Sequence, residues 1–360
     1  MSKALPPSSL LMEISNNPSQ EDFEASFNYV RDDFLNILKM ADLNFHAHER
    51  ILDFGCGVGR FLYSISNYTS EDQKLYGCDV SQRCATWCKE NIDFADCHES
   101  NIEPPLLYTD GFFDLVYACS VFSHLPISFQ LKWALEIFRI ISSGGSFLFT
   151  THGTAYFPVL QQAVLDRKIT NSTMISIGGS GLFFSFDSDS SISSLGQREI
   201  ASAHNREAIE EIFPFFDIKL HIPDSQIAAS QDAYVLCKSE KTTSITSVGN
   251  KDFNKRKSSD SEWETHFSVN LTGQNLFHGF INLDGCFAGN LTLQVFIKTE
   301  DGTVIFESNF ILASSRVFGK AMYYPVKLIM QPFEDKAFVS FYLDGVEIDN
   351  SIRLIRPIFY

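Results

Sequence analysis

Three glycines in five residues follow an apolar run that ends in a carboxylate. "ILDFGCGVGRF" at 51–61 sets Asp53 ahead of Gly55, Gly57 and Gly59. A glycine-rich turn after a strand lets the backbone approach a bound molecule closely. A second carboxylate, Asp79, ends the next apolar run, "KLYGCDV". Three histidines follow later: His124 in "SVFSHLP", His152 in "TTHG" and His204 in "ASAHNREAI". Histidine titrates near neutral pH, so each is a candidate base for a hydroxyl proton.

The spacing narrows the ligand. A dinucleotide turn needs G-x-G-x-x-G, but here the third glycine comes one residue early and Arg60 fills its slot. Asp53 would repel a phosphate and suits a cation instead. No G-x-x-x-x-G-K-[ST] occurs. A carboxylate at the end of the second strand, here Asp79, can accept hydrogen bonds from ribose hydroxyls. The expected ligand bears a ribose and a positive charge and lacks phosphates. S-adenosylmethionine meets all three conditions.

The elements that must position these groups follow from periodicity. "SQEDFEASFNYVRDDFLNILKMADL" (19–43) has apolar residues at helical spacing and predicts a leading helix. From 50 to 151, short apolar runs alternate with amphipathic segments, which predicts a mostly parallel sheet covered on both faces. "YFPVLQQAVLDRK" predicts a helix, "MISIGGSGLFFSFDSDSS" a hairpin or flap, and "NREAIEEIFPFF" a further helix. "DIKLHIP" and "DAYVLCKSE" read as two closing strands. The polar stretch 241–262 reads as a linker, and after it alternating runs around "TEDG" signal a hairpin. The predicted organisation is a leading segment (1–44), an α/β domain (45–240), the linker and an all-β sandwich or jelly roll (263–360).

The totals exclude some partners. A net charge of −16 argues against nucleic acid, whose binding rests on clustered Lys and Arg. The opening "MSKALPPSSLLMEISNNPSQ" shows no secretory signal, and no apolar run reaches the ~18 residues of a spanning helix. The eight cysteines form no C-x-x-C pair and read as reduced, small apolar residues of a cytoplasmic protein, with no metal site.

With these residues in view, "ILDFGCGVGRF", "LYGCDVS", "NIEPPLLYTDGFFDLVYACSVFSHL" and "SSGGSFLFTTHG" resemble the successive motifs of class I S-adenosylmethionine-dependent methyltransferases. The resemblance covers about 45–240 and implies a Rossmann-like, seven-stranded sheet whose antiparallel last strand is "QDAYVLCK". It implies that Gly55, Cys56 and Gly57 pass beneath the methionyl part, with Asp53 near its amino group. Asp79 and Val80 would face the ribose, Asn101 and Ile102 the adenine, and Cys119 and Ser120 would line the cofactor side of the fourth strand. His124 borders the active site of relatives that carry "FSHL". The activity expected is O-methylation, with a sugar hydroxyl of a polysaccharide or glycan as acceptor. Trp263, His278, Tyr323 and Tyr324 are candidates for an aromatic sugar platform, although strand aromatics more often build cores. Two alternatives stand beside this reading. One is a small-molecule methyltransferase of secondary metabolism whose β domain dimerises; the other is a non-catalytic module that binds S-adenosylmethionine.

Overall fold

The computed structural model describes residues 4–15, 17–125, 127–158, 172–177, 181–187, 200–223, 231–238, 242–247, 261–271, 274–284, 291–299, 301–312, 321–330, 337–343 and 346–354. The chain divides into two compact units, one made of 1–171, 186–203 and 216–239, the other of 172–185, 204–215 and 240–360.

The first unit is built on a seven-stranded sheet. Strands β1 (Arg50–Phe54), β2 (Lys74–Asp79), β3 (Ala95–Glu99), β4 (Phe113–Ala118) and β5 (Ile141–Thr151) are parallel to one another. Strand β10 (Asp232–Lys238) runs antiparallel to β5 on one side and to β9 (Phe216–Ile222) on the other, giving the order β3-β2-β1-β4-β5-β10-β9. The antiparallel strand expected from "QDAYVLCK" is therefore β10. Strand order reverses between β1 and β4, so a crevice opens at their carboxyl ends, where open α/β sheets take ligands.

Helices α1 (Ser8–Ser15), α2 (Gln20–Met40), α3 (Arg60–Ile65), α4 (Gln82–Asn91) and α5 (Ile127–Ile140) belong to this unit. The leading helix is α2. Ser19 caps it by accepting from the Asp22 amide at 3.0 Å, and Glu21 and Asp22 in the first turn suit the positive end of its dipole. Its phenylalanines enter the core: Phe34 meets Phe61 edge-on at 4.7 Å and Tyr117 at 5.3 Å. Each such buried ring contributes about 1.5–3 kcal/mol. Helix α4 starts at Ser81, whose side chain accepts from the Cys84 amide. A buried Glu136 on α5 binds Arg139 at 2.6 Å and accepts from the Leu106 amide at 2.6 Å, tying the loop before β4 to that helix.

In the second unit, β6 (Ser172–Ile177) and β7 (Gly181–Asp187), expected as a hairpin or flap, lie side by side in a sheet with β11 (Thr242–Ser247), β12 (Ser261–Leu271), β13 (Gln274–Asp284) and β16 (Ala321–Met330). Strand β16 pairs with β6 in parallel through Tyr323 and Ile177. The stretch expected as linker thus contributes β11, which pairs with β12. A four-stranded sheet takes the order β15-β14-β17-β18 from β14 (Leu291–Thr299), β15 (Val304–Leu312), β17 (Ala337–Leu343) and β18 (Val346–Leu354). Gly302, at φ 85°, turns the predicted "TEDG" hairpin between β14 and β15. Strand β8 (Ile200–His204) and helix α6 (Arg206–Ile212) complete the described elements, whereas the helix expected from "YFPVLQQAVLDRK" falls largely outside the described residues.

Candidate functional site

The first half of the site is made where β1 and β2 end. After Asp53 the backbone passes through left-handed conformations at Gly55 (φ 78°), Gly57 (φ 53°) and Gly59 (φ 82°). A side chain at Gly55 would also stand 2.4 Å from Val121 Cγ2, so only glycine fits this turn. The turn is fastened to the end of β2. The Gly55 and Cys56 amides donate to the Cys78 carbonyl at 2.8 and 3.0 Å, and the Gly57 amide donates to Asp79 Oδ2 at 2.8 Å. The Ser81 amide donates to Asp79 Oδ1 at 2.8 Å. Burial raises the Asp79 carboxyl above its ordinary value, while these two amides pull it back towards the ionised form. Each oxygen keeps acceptor capacity for a further hydroxyl.

Asp53 is 3% exposed, and its Oδ2 has no hydrogen-bond partner among the described residues. Burial pushes its carboxyl well above the carboxylate range, and Cys97 and Asp79 add to the effect. A buried carboxylate oxygen without a partner is a costly arrangement that a bound cation or donor relieves. Under the turn, the Cys88 and Cys56 thiols both donate to the Gly57 carbonyl, at 3.3 and 3.7 Å. The described cysteines are free thiols, and burial holds those of Cys78 and Cys84 up.

The second half lies past the ends of β4 and β5. Ser120 takes φ 61°, unusual for a residue with a side chain, and its amide donates to Thr150 Oγ1 at 2.9 Å. The Thr150 hydroxyl donates to Gln231 Oε1 at 2.7 Å, which fixes the amide so that Nε2 donates to Ser120 Oγ at 2.8 Å. Ser123 Oγ donates to the Ser120 carbonyl at 2.9 Å and lies 3.0 Å from Ser120 Oγ. His124 Nε2 stands 3.5 Å from the same Ser120 oxygen. His152 is near enough to His124 to be affected by its charge. Burial, with that charge added, lowers His152 to about 4. It is therefore neutral at pH 7. Its Nδ1 is buried with no partner among the described residues, and its ring stacks on Tyr156 at 3.8 Å.

Of the predicted residues, Asp53, Gly55, Cys56, Gly57, Asp79 and the half-buried Val80 meet around the turn, and Ser120, His124 and His152 gather past β4 and β5. Cys119 lies beside Thr150, their side-chain atoms 3.7 Å apart. Asn101 is exposed and Ile102 is 38% exposed on the loop after β3, where the Trp133 indole donates to the Ile102 carbonyl at 3.2 Å. His204 is fully buried at the end of β8, one residue beyond Ala203, which bridges to His152. Trp263 and Tyr324 both sit in register with Ile281, whereas Tyr323 pairs with Asn282 and His278 with Lys327. Sequence reasoning missed Gln231, Thr150 and Ser123, because no motif marks a glutamine that acts through tertiary placement. It also missed α1, which Pro6, Pro7 and Ser8 before an apolar run do signal. Among the described residues, no group of three or more His, Cys, Asp and Glu side chains is placed to hold a metal ion.

Residues 52–149 match the model of a family described as a methyltransferase domain. "Probable methyltransferase ltbC" of Aspergillus luteorubrus is 30% identical over 106 residues, 26% of this chain and 37% of that protein. The chain thus spans little more than a third of the curated relative it matches. Among solved structures, the chain is similar to a SAM-dependent methyltransferase from Methanosarcina mazei, with TM-score 0.41 and 14% identity over 56% of this chain and 97% of that one. It is also similar to an S-adenosylmethionine-dependent methyltransferase from Clostridium acetobutylicum, with TM-score 0.38 and 12% identity over 58% of this chain and 90% of the other.

Proposed function

We propose that this chain transfers a methyl group from S-adenosylmethionine to a hydroxyl oxygen. One observation carries the reading: a buried Asp53, with an oxygen unpartnered among the described residues, stands beside a left-handed glycine turn that is bonded to Asp79. A phosphate entering there would meet two carboxylates. A phosphate-free adenosyl sulfonium meets an acid for its ammonium, an acid for its ribose and backbone close enough to follow its contour. The bound donor supplies an electrophilic methyl carbon on positively charged sulfur.

The chain's own contribution is placement and proton handling. Displacement at the methyl carbon is in line, so fixing the acceptor oxygen opposite the sulfur accounts for much of the acceleration. The polar groups past β4 and β5 support a hydroxyl acceptor. His152, held neutral, presents Nδ1 as a hydrogen-bond acceptor in its Nε2–H tautomer. His124, against Ser120, takes the hydroxyl proton as the C–O bond forms. Gln231 and Thr150 hold Ser120 where it can orient that ring. We take the acceptor to be a sugar hydroxyl of a polysaccharide or glycan, which the strand-rich second unit with Trp263, Tyr323 and Tyr324 would bind. Non-catalytic binding is disfavoured because a module that only held the donor would have no use for two histidines at the acceptor side.

The test is transfer of tritium from methyl-labelled S-adenosylmethionine into a fractionated cell extract. Label in a polymer fraction, stable to mild base, supports an ether on a sugar. Label confined to low-molecular-weight products rejects the glycan and keeps the hydroxyl reading. No enzyme-dependent label in any fraction contradicts the activity.

A further inference from the structure

The glycine turn is covered by an element that no motif includes. Ile14 of α1 lies against Gly57: a Cβ placed on that glycine would be 3.7 Å from Ile14 Cγ2 and 3.8 Å from its Cδ1. One residue earlier, Glu13 Oε1 accepts from Ser81 Oγ at 3.2 Å, and its Oε2 pairs with Arg83. Ser81 is also the residue whose amide holds Asp79 and whose hydroxyl caps α4. The charge on Glu13 reaches Asp79 as well, raising its carboxyl. A single short helix therefore touches the turn and the start of α4, and its charge is felt at the second-strand carboxylate.

Eight residues do not hold a helix in water alone, so the position of α1 is set by its contacts. Leu10 and Leu11 are buried in the core, and the Tyr63 hydroxyl donates to the Ala4 carbonyl at 2.9 Å. Gln20 Nε2 donates to the Pro6 carbonyl at 2.8 Å. These contacts anchor one side of the helix to the core and to α2 and α3. Over the crevice its attachment is different in kind. The Arg83 and Glu13 side chains are 63% and 29% exposed, so water and salt compete for their pairing. The helix is thus hinged on apolar contacts and latched by a weak ionic one.

Building on the donor reading above, we propose that α1 gates the S-adenosyl crevice and that Glu13 is its latch, closing the helix over the ligand by binding Ser81 and Arg83. A gate lowers entry and exit rates together, whereas a simple affinity contact slows exit alone.

Stopped-flow tryptophan fluorescence with S-adenosylhomocysteine on the full chain separates these cases, and it needs no methyl acceptor. Glu13→Gln and, independently, Arg83→Ala are expected to raise both association and dissociation rates about two- to fivefold, the range of one exposed ion pair, with little change in Kd. Added sodium chloride is expected to speed exchange in the unmodified chain and to have a smaller effect in Glu13→Gln. Unchanged rates in both variants overturn the gate while leaving the donor site standing, and so does a rise in dissociation alone. Failure of the unmodified chain to bind S-adenosylhomocysteine overturns the gate and the donor reading together.

Discussion

Burial disfavours a charge on the Asp53 carboxyl. A carboxyl whose folded value is raised loses stability as pH rises through its ordinary range, because the unfolded chain ionises first. Asp53→Asn is therefore expected to leave the ligand-free protein as stable or more stable at pH 7, and to weaken S-adenosylhomocysteine about tenfold. Thermal melts and titration read the two signs, and a drop in both would assign Asp53 a structural role. His152 gives the second residue-level expectation. Its folded value is lowered to about 4, so the unfolded chain binds the proton more tightly. Stability is full above the ordinary histidine range near pH 6.5 and falls as pH drops from there towards 4. His152→Asn should flatten that fall in urea midpoints measured between pH 7 and 4.5; an unchanged slope would place the loss on other groups. Both positions were marked in the sequence, one next to the last residue of β1 and the other just past β5. Their burial was not legible, because it depends on what the rest of the chain stacks over them.

At the scale of elements, the glycine turn and the β4–β5 corner meet different constraints. Gly55→Ala would impose a left-handed backbone on alanine and drive its methyl into Val121, so a loss of about 2–3 kcal/mol is expected, read as a lower denaturation midpoint. A neutral result would mean that the turn relaxes freely. At the corner, Gln231→Leu leaves the buried Thr150 hydroxyl and the Ser120 and Ser123 oxygens short of a partner, for about 1–3 kcal/mol. The alternation of strands and helices between 50 and 151 was readable where a helix separates two strands, because apolar spacing records both; β3 and β4 follow each other with no helix between them. The Gln231 network was not, since Ser120 and Gln231 lie 111 positions apart and meet only because β10 inserts beside β5.

At the scale of the whole molecule, the two units are interleaved along the chain. Residues 172–185 leave the first unit and pair with strands that follow 240, so a chain cut after residue 239 would expose the edge of β6 that β16 covers. Such a cut is expected to aggregate, while a cut chain in which a short glycine–serine link replaces 172–185 stays soluble; equal solubility of the two would show that the edge is harmless. Length left room for two domains and alternating runs after 263 pointed to strands, but residues 172–185 and 204–215, expected within the α/β domain, fall in the second unit. Neither signal could announce the exchange of strands, which depends on pairing between distant segments. The proposed donor site is the crevice at the ends of β1 and β2. Calorimetric titration of the full chain with S-adenosylhomocysteine, beside the same titration of Asp79→Ala and of the unmodified chain with a nicotinamide dinucleotide, tests it most directly. Saturable binding of S-adenosylhomocysteine, weakened at least about tenfold in Asp79→Ala and absent for the dinucleotide, is the predicted result. Heat from the dinucleotide alone, or equal binding by Asp79→Ala, would contradict it.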